Sequence, residues 1–240
     1  MDQFDNVGIF LQLVAMFLLL IKILTTCDCT GISGRTQALL ALSFTSRFLD
    51  APYEFEEHRP IFVVKSMFVT LSYSTLLLIY YVWRSTYQRD LDTFRWELAT
   101  GACMTLALLS STQYWDSLVT IMWYFSVYIE AVAIFPQIQL SQKTKYIGRS
   151  LFAYVGLFAC YRFFYIVHWI YLYLVMGQLS DPFLMVAGTA QCIFTSAYFV
   201  WMIKAFNSQY HSEYPYVVRY DLGSQECDDF KDKDLSVIVK

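Results

Sequence analysis

The stretch Phe10 to Ile21, FLQLVAMFLLLI, carries no charge, and Gln12 is its one polar side chain. A helix of that composition is apolar all round, so it suits lipid rather than the surface of a soluble bundle, whose helices keep a polar face. Phe183 to Ala190, FLMVAGTA, reads the same way apart from Thr189. Outward from these two, charge-poor segments recur around residues 7–24, 37–49, 61–81, 96–113, 117–139, 150–174 and 182–203. Most approach the roughly 20 residues that cross a hydrocarbon core. The segment 37–49 is shorter and needs extension past Arg47, tilt or a locally thinned bilayer.

Whole-chain composition agrees. The protein has 240 residues, 57% hydrophobic and only 15% charged, with a mean hydropathy of +0.43, which is too apolar for an ordinary soluble domain. The expectation is an all-α membrane protein with seven transmembrane helices in one domain over residues 1–206. A tail of mixed, largely acidic charge follows over 207–240, too polar to bury a core and expected to be disordered. Asp2 and Asp5 stand where a secretory signal needs a basic region, so the first segment is expected to stay as a helix.

Charge placement sets an orientation. Lys22, Arg35, Arg84, Arg89, Arg95, Lys143, Lys145, Arg149 and Lys204 fall at one end of this scheme. Asp2, Asp5, Glu54, Glu56, Glu57, Asp116 and Asp181 fall at the other, with Arg59 as an exception. Basic connections face the cytosol, which puts the amino terminus in the lumen or outside and the tail in the cytosol. Cys27 and Cys29 have no companion His or Cys cluster, so no metal or other cofactor is expected. No metal-spaced histidines, activated nucleophile or carboxylate pair at one depth supports an enzyme, and no nucleic-acid partner is expected.

Arg47, Glu130 and Arg162 each lie inside or at the edge of a strongly apolar segment. Charges are costly at membrane depth unless paired, snorkelling or lining a wet cavity, so these residues point to function. Arg47 and Asp50 are three apart and share a helical face, so Asp50 is expected to orient Arg47. Arg162, Tyr165 and Trp169 line one side of a helix, with Tyr161 and His168 beside it. With Trp123 they form a groove suited to an anion, because guanidinium groups match carboxylates and the aromatic rings supply apolar faces. Glu130 either binds a cationic group of the ligand or pairs with an arginine. Pro136 is expected to kink or end the fifth helix, leaving backbone carbonyls free for the interior.

A dense, ordered set of motifs runs through residues 8–204. It includes Lys22-Ile23, Gly31-Ile32-Ser33-Gly34, Arg47-Phe48-Leu49-Asp50, Ser85-Thr86-Tyr87 and Asp92-Thr93-Phe94-Arg95. It continues through Trp123, Phe125-Ser126, Tyr128, Glu130, Val132-Ala133-Ile134, Pro136-Gln137, Ser141, Lys143-Thr144, Tyr161-Arg162, Tyr165 and Trp169. In these the chain resembles the receptors that retrieve resident proteins of the endoplasmic reticulum by carboxyl-terminal KDEL or HDEL signals.

That family is similar to the SWEET and PQ-loop transporters. The resemblance therefore implies two three-helix repeats around a linking helix, here the fourth. It also implies cycling between Golgi and endoplasmic reticulum membranes, with the signal peptide bound in the more acidic Golgi and released near neutral pH. By resemblance Arg47 receives the terminal carboxylate and Arg162 an acidic side chain. Trp169 and Tyr165 pack the peptide, with Asp50, Trp123 and Tyr161 in the same site, and Glu130 belongs to a network that rearranges on binding. Expected partners are lumenal proteins with such termini, membrane lipids, and the COPI coat at the cytosolic face.

The departures matter too. Asp5 replaces an arginine of the family, Gln12 the histidine associated with acid-dependent binding, Thr120 an acidic residue and Ala197 an aspartate. His168 stands where the family has asparagine and is the one histidine within an expected membrane helix, hence a possible pH sensor. Lys204 is followed by Ala205-Phe206-Asn207-Ser208-Gln209 rather than by the lysines that engage the coat. Beside the receptor stand two alternatives: a divergent structural or assembly subunit of a membrane complex, and a small-solute carrier of the SWEET type.

Overall fold

The computed structural model describes residues 3–50, 59–111, 117–145, 147–176 and 182–211. They form helices α1 (Gln3–Thr26), α2 (Gly34–Arg47), α3 (Arg59–Leu77, running into a π-helical turn Leu78–Val82) and α4 (Trp96–Ser110). After these come α5 (Leu118–Val132), α6 (Phe135–Thr144), α7 (Arg149–Met176) and α8 (Pro182–His211). Among the described residues, five stretches are long and apolar enough to cross a bilayer: Asn6–Thr26, Arg59–Val82, Leu118–Thr144, Arg149–Val175 and Met185–Ser208. The chain is therefore an all-α, multi-pass membrane protein. Each of the seven expected segments coincides with helix, the fifth split into α5 and α6.

Helix α2 is the polar centre of the bundle, packed between α3 and α5. It begins at Gly34, earlier than its apolar run, because Ser33 caps it by accepting from the Thr36 amide at 3.1 Å. It ends at Arg47 without extension, and nine of its 14 residues are buried. Close packing explains the glycine at its start: a Cβ on Gly34 would lie 2.8 Å from Tyr80 Oη and 2.9 Å from the Tyr87 ring. Asp92 locks this corner. Its carboxylate accepts from Ser33 Oγ at 2.8 Å, Tyr87 Oη at 2.8 Å and the Arg35 amide at 3.2 Å. Burial, and then the neighbouring Asp92 charge, push the Tyr87 phenol well above its ordinary pKa, so it stays a donor.

Pro136 interrupts the fifth segment as expected. Helix α5 stops at Val132, Ala133 and Ile134 turn, and α6 restarts with proline in its first turn, where the missing amide hydrogen costs little. Gln137, fully buried, exploits the break. Its Oε1 accepts from the Ser33 amide at 2.9 Å, its Nε2 donates to the Gly31 carbonyl at 2.8 Å, and its own amide donates to Thr36 Oγ1 at 2.9 Å. One side chain thus ties α6 to the α1–α2 turn, where Gly31 takes a φ of 78°.

Helix α8 continues to His211, beyond the boundary expected at residue 206. The remainder of the tail, and the acidic positions Asp2, Glu54, Glu56, Glu57, Asp116 and Asp181, lie outside the described residues.

Replacing Gln137 with leucine strands a buried amide and a buried carbonyl, so Gln137→Leu is expected to lower stability by about 2–4 kcal/mol. Thermal unfolding in detergent checks this, with Gln142→Leu on the exposed side of α6 expected to change stability by less than about 0.5 kcal/mol.

Candidate functional site

Four helices meet around one carboxylate. Glu130 on α5 is 1% exposed, and its two oxygens are shared by two arginines: Arg47 Nη2, from the end of α2, contacts Oε2, and Arg162 Nη2, from α7, contacts Oε1. Tyr161 Oη donates to Oε1 at 2.5 Å, and Gln12 Nε2, from α1, donates to the same oxygen at 3.2 Å. Each element carries its residue inward for a local reason. Helix α1 buries Gln12 on the face that holds Ala15 and Leu19, and α7 buries Tyr161 on the face that holds Tyr154 and Phe158. Arg47 sits in the last turn of α2, where a cation favours the helix end.

Ser126, one turn before Glu130, braces the cluster. Its hydroxyl accepts from Arg47 Nε at 3.2 Å and donates to the Trp123 carbonyl at 2.6 Å, while its carbonyl accepts from Ser43 Oγ at 2.8 Å. The Arg162 guanidinium lies 4.5 Å from the Tyr161 ring centroid, within cation–π range. Arg47, Arg162 and Glu130 together leave one net positive charge in an interior where Glu130 is sealed and Arg162 is 6% exposed.

The aromatic wall follows α7 from this cluster. Tyr165 and Trp169 meet edge to face at 5.3 Å, and Tyr165 and His168 are 6.3 Å apart. Trp169 rests on the backbone of α8, for a Cβ on Gly188 would come within 2.3 Å of its ring. Trp123 is 38% exposed and edge-on to Tyr124 at 5.6 Å, beside rather than inside the cluster.

The expected pairing of Asp50 with Arg47 is replaced. Asp50 Oδ2 accepts from Lys65 on α3 at 2.8 Å, while Arg47 turns inward to Glu130. The spacing of three put both on one helical face, but α2 ends at Arg47 and Asp50 already lies in the following turn. Of the divergent positions, Gln12 enters the cluster. Thr120 stands in the first turn of α5, where its hydroxyl bonds to the capping Ser117 Oγ at 3.0 Å, and Ala197 faces outward. The Asp5 side chain lies outside the described residues. Lys65 went unread in the sequence, and Ser126 figured there only in the Phe125-Ser126 motif, although it lies four residues before Glu130 and so shares its face.

Comparison with known proteins gives the family. The family model "ER lumen protein retaining receptor" matches residues 28–172. The chain is 37% identical over 190 residues to "ER lumen protein-retaining receptor erd-2.2" of Caenorhabditis elegans, covering 78% of this chain and 86% of the relative. It is 32% identical over 220 residues to "ER lumen protein-retaining receptor" of Petunia hybrida, covering 90% and 100%. Against "ER lumen protein-retaining receptor 3" of Mus musculus it is 35% identical over 201 residues, covering 83% and 91%. The chain belongs to the ER lumen protein-retaining receptor family. Its function is accordingly that of a receptor in endoplasmic reticulum and Golgi membranes, not of an enzyme.

Removing the shared carboxylate leaves two buried cations facing each other, so Glu130→Gln is expected to destabilise the unliganded protein by about 3–5 kcal/mol. Combining it with Arg162→Met is expected to recover part of that loss, as read by thermal unfolding.

Proposed function

We propose that this receptor binds the free carboxyl-terminal ends of lumenal proteins that carry KDEL- or HDEL-like signals and returns them from Golgi to endoplasmic reticulum. The observation that carries the reading is the lone carboxylate of Glu130 set against two arginines. An incoming carboxylate supplies the missing negative charge and competes with Glu130 for a guanidinium, so ligand and internal pair exchange within one site. Arg47, at the end of α2 and the more exposed of the two, takes the terminal carboxylate. Arg162 takes an acidic side chain, and Tyr165 and Trp169 pack the apolar part of the peptide.

The finer architecture belongs to this reading. Seven passes, with α5 and α6 forming one, group into repeats α1–α3 and α5–α8 joined by α4. The amino terminus is lumenal and the carboxyl terminus cytosolic, and the cytosolic face meets the COPI coat. The clustering of Lys22, Arg84, Arg89, Lys143, Lys145 and Arg149 near the helix ends remote from the Arg47 cluster supports that orientation. An aspartate at position 5, where the family has arginine, is expected to disfavour doubly acidic signals.

Binding of the purified protein to free-acid peptides ending in KDEL or HDEL, against amidated and scrambled controls, tests this. Carboxylate-dependent binding that is lost in Arg47→Ala is expected. Equal uptake of free-acid and amidated peptides, or an Arg47→Ala variant that binds like the parent, sinks the reading.

The pH response is separable. The Gln12 side chain that donates to Glu130 has no proton to exchange in this range, so an acid dependence of binding is assigned to His168 and to the peptide's own carboxyls. Between about pH 7.4 and 5.5, the range in which imidazole titrates, His168→Asn is expected to flatten the binding profile and Gln12→His to steepen it. Identical profiles for parent and both variants contradict this assignment.

A further inference from the structure

Helix α8 turns a polar stripe inward that the ion cluster does not use. Its buried face runs through Ala187, Gln191, Thr195, Tyr198 and Met202. Tyr198 Oη is satisfied by Ser141 Oγ at 2.7 Å. Gln191, 1% exposed, and Thr195, fully buried, are not: both amide atoms of Gln191 and the hydroxyl of Thr195 lack a hydrogen-bond partner among the described residues, as does Arg162 Nε.

Packing contacts bring these groups to one depth. Gly156 against Phe199 and Trp169 against Gly188 make α7 and α8 antiparallel, with Arg162 level with Phe194 and Thr195. On the other side the Phe135 and Phe194 rings meet at a tilt, 5.0 Å between centroids, and Ser141 meets Tyr198, so α6 runs parallel to α8. That register sets Glu130 about a turn above Phe194. Gln191 therefore falls between the levels of Glu130 and Arg162. Trp169, seated on Gly188, lies one turn above it toward the mouth of the groove.

A buried primary amide with neither atom bonded is a cost that leucine at the same position avoids. Its side-by-side donor and acceptor match the carbonyl and N–H of one extended peptide unit, while Thr195 Oγ1 and Arg162 Nε are donors suited to a carboxylate. We propose that Gln191 is a ligand-binding residue: its carboxamide pairs with one backbone peptide group of the bound acidic peptide, and Thr195 with Arg162 Nε hydrogen-bonds an adjoining carboxylate of the same peptide. The inference rests on the peptide-receptor reading and adds a wall to that groove opposite Arg47. When Trp169 leaves the Gly188 backbone to pack against the peptide, the amide beneath it is uncovered.

The test uses the purified full chain, a free-acid HDEL-ending peptide, and the same peptide N-methylated at one backbone position at a time. Gln191→Leu is expected to raise the Tm of the unliganded protein while weakening the peptide by about tenfold, the loss of a buried hydrogen-bonded pair. One N-methylated position is expected to weaken the parent by a similar factor and Gln191→Leu far less, since the two changes remove the same contact. Gln191→Met, a flexible apolar replacement, is expected to behave like leucine. Unchanged affinity in both variants, a Tm that falls together with affinity, or N-methylation effects that are equal in parent and variant overturns the inference while the receptor reading stands. A parent that takes up no free-acid peptide overturns both.

Discussion

Glu130 is where the helices of the bundle are held to one another. Its two oxygens take donors from α1, α2 and α7, so a single carboxylate fixes the position of three helices against α5. In a low-dielectric interior the three donors at Oε1 and the one at Oε2 offset the cost of burying the charge. The arginines are less well satisfied than the acid they share. The surplus charge lies on the cationic side, which in the proposed binding mode suits the cluster to an incoming anion.

The opposite end of the bundle is tied differently. Gln137 joins α6 to the α1–α2 turn through neutral amide bonds, and Asp92 gathers Ser33, Tyr87 and the Arg35 amide a short distance away. Both groups serve the same corner at the start of α2. There the amide of Gln137 offers a donor and an acceptor and uses both, so nothing in it invites an exchange of partners. A ligand that redraws the ion cluster at the end of α2 thus acts on one end of a helix whose other end is pinned. Rotation or tilt about the Gln137 corner is the motion the bonding pattern permits most readily.

The sequence made the fold legible where periodicity and punctuation act locally. The apolar run of Phe10 to Ile21 required a lipid-facing helix, and Pro136 marked the break between α5 and α6. Arg47, Glu130 and Arg162 announced themselves because charge is scarce at membrane depth. What they bond to was less legible, since partner choice depends on where helices end and how they are registered. Asp50 looked like the partner of Arg47 while the helix was imagined to continue. Once α2 ends at Arg47, Lys65 claims Asp50. Gln191 carried no signal in the sequence, because a single glutamine in an apolar helix gains meaning only when the packing leaves its amide unbonded.

The departures from the family pattern divide by what surrounds them. Gln12 retains the geometry of a donor to Glu130 and gives up only titration, so the cluster keeps its shape. Thr120 joins the capped first turn of α5, and Ala197 lies on the outward face of α8, where lost polarity does not disturb the interior. None of these three removes a donor from Glu130 or an arginine from the groove. The four donors gathered at Glu130 and both arginines are therefore intact in this chain. In the proposed binding mode the exchange at position 12 removes a titrating group and the aspartate at position 5 reverses a charge, so both act on when and how tightly the peptide binds. In the proposed binding mode such a receptor still requires a free carboxyl terminus, through Arg47 and Glu130, while its response to pH and its choice among acidic signals are free to differ.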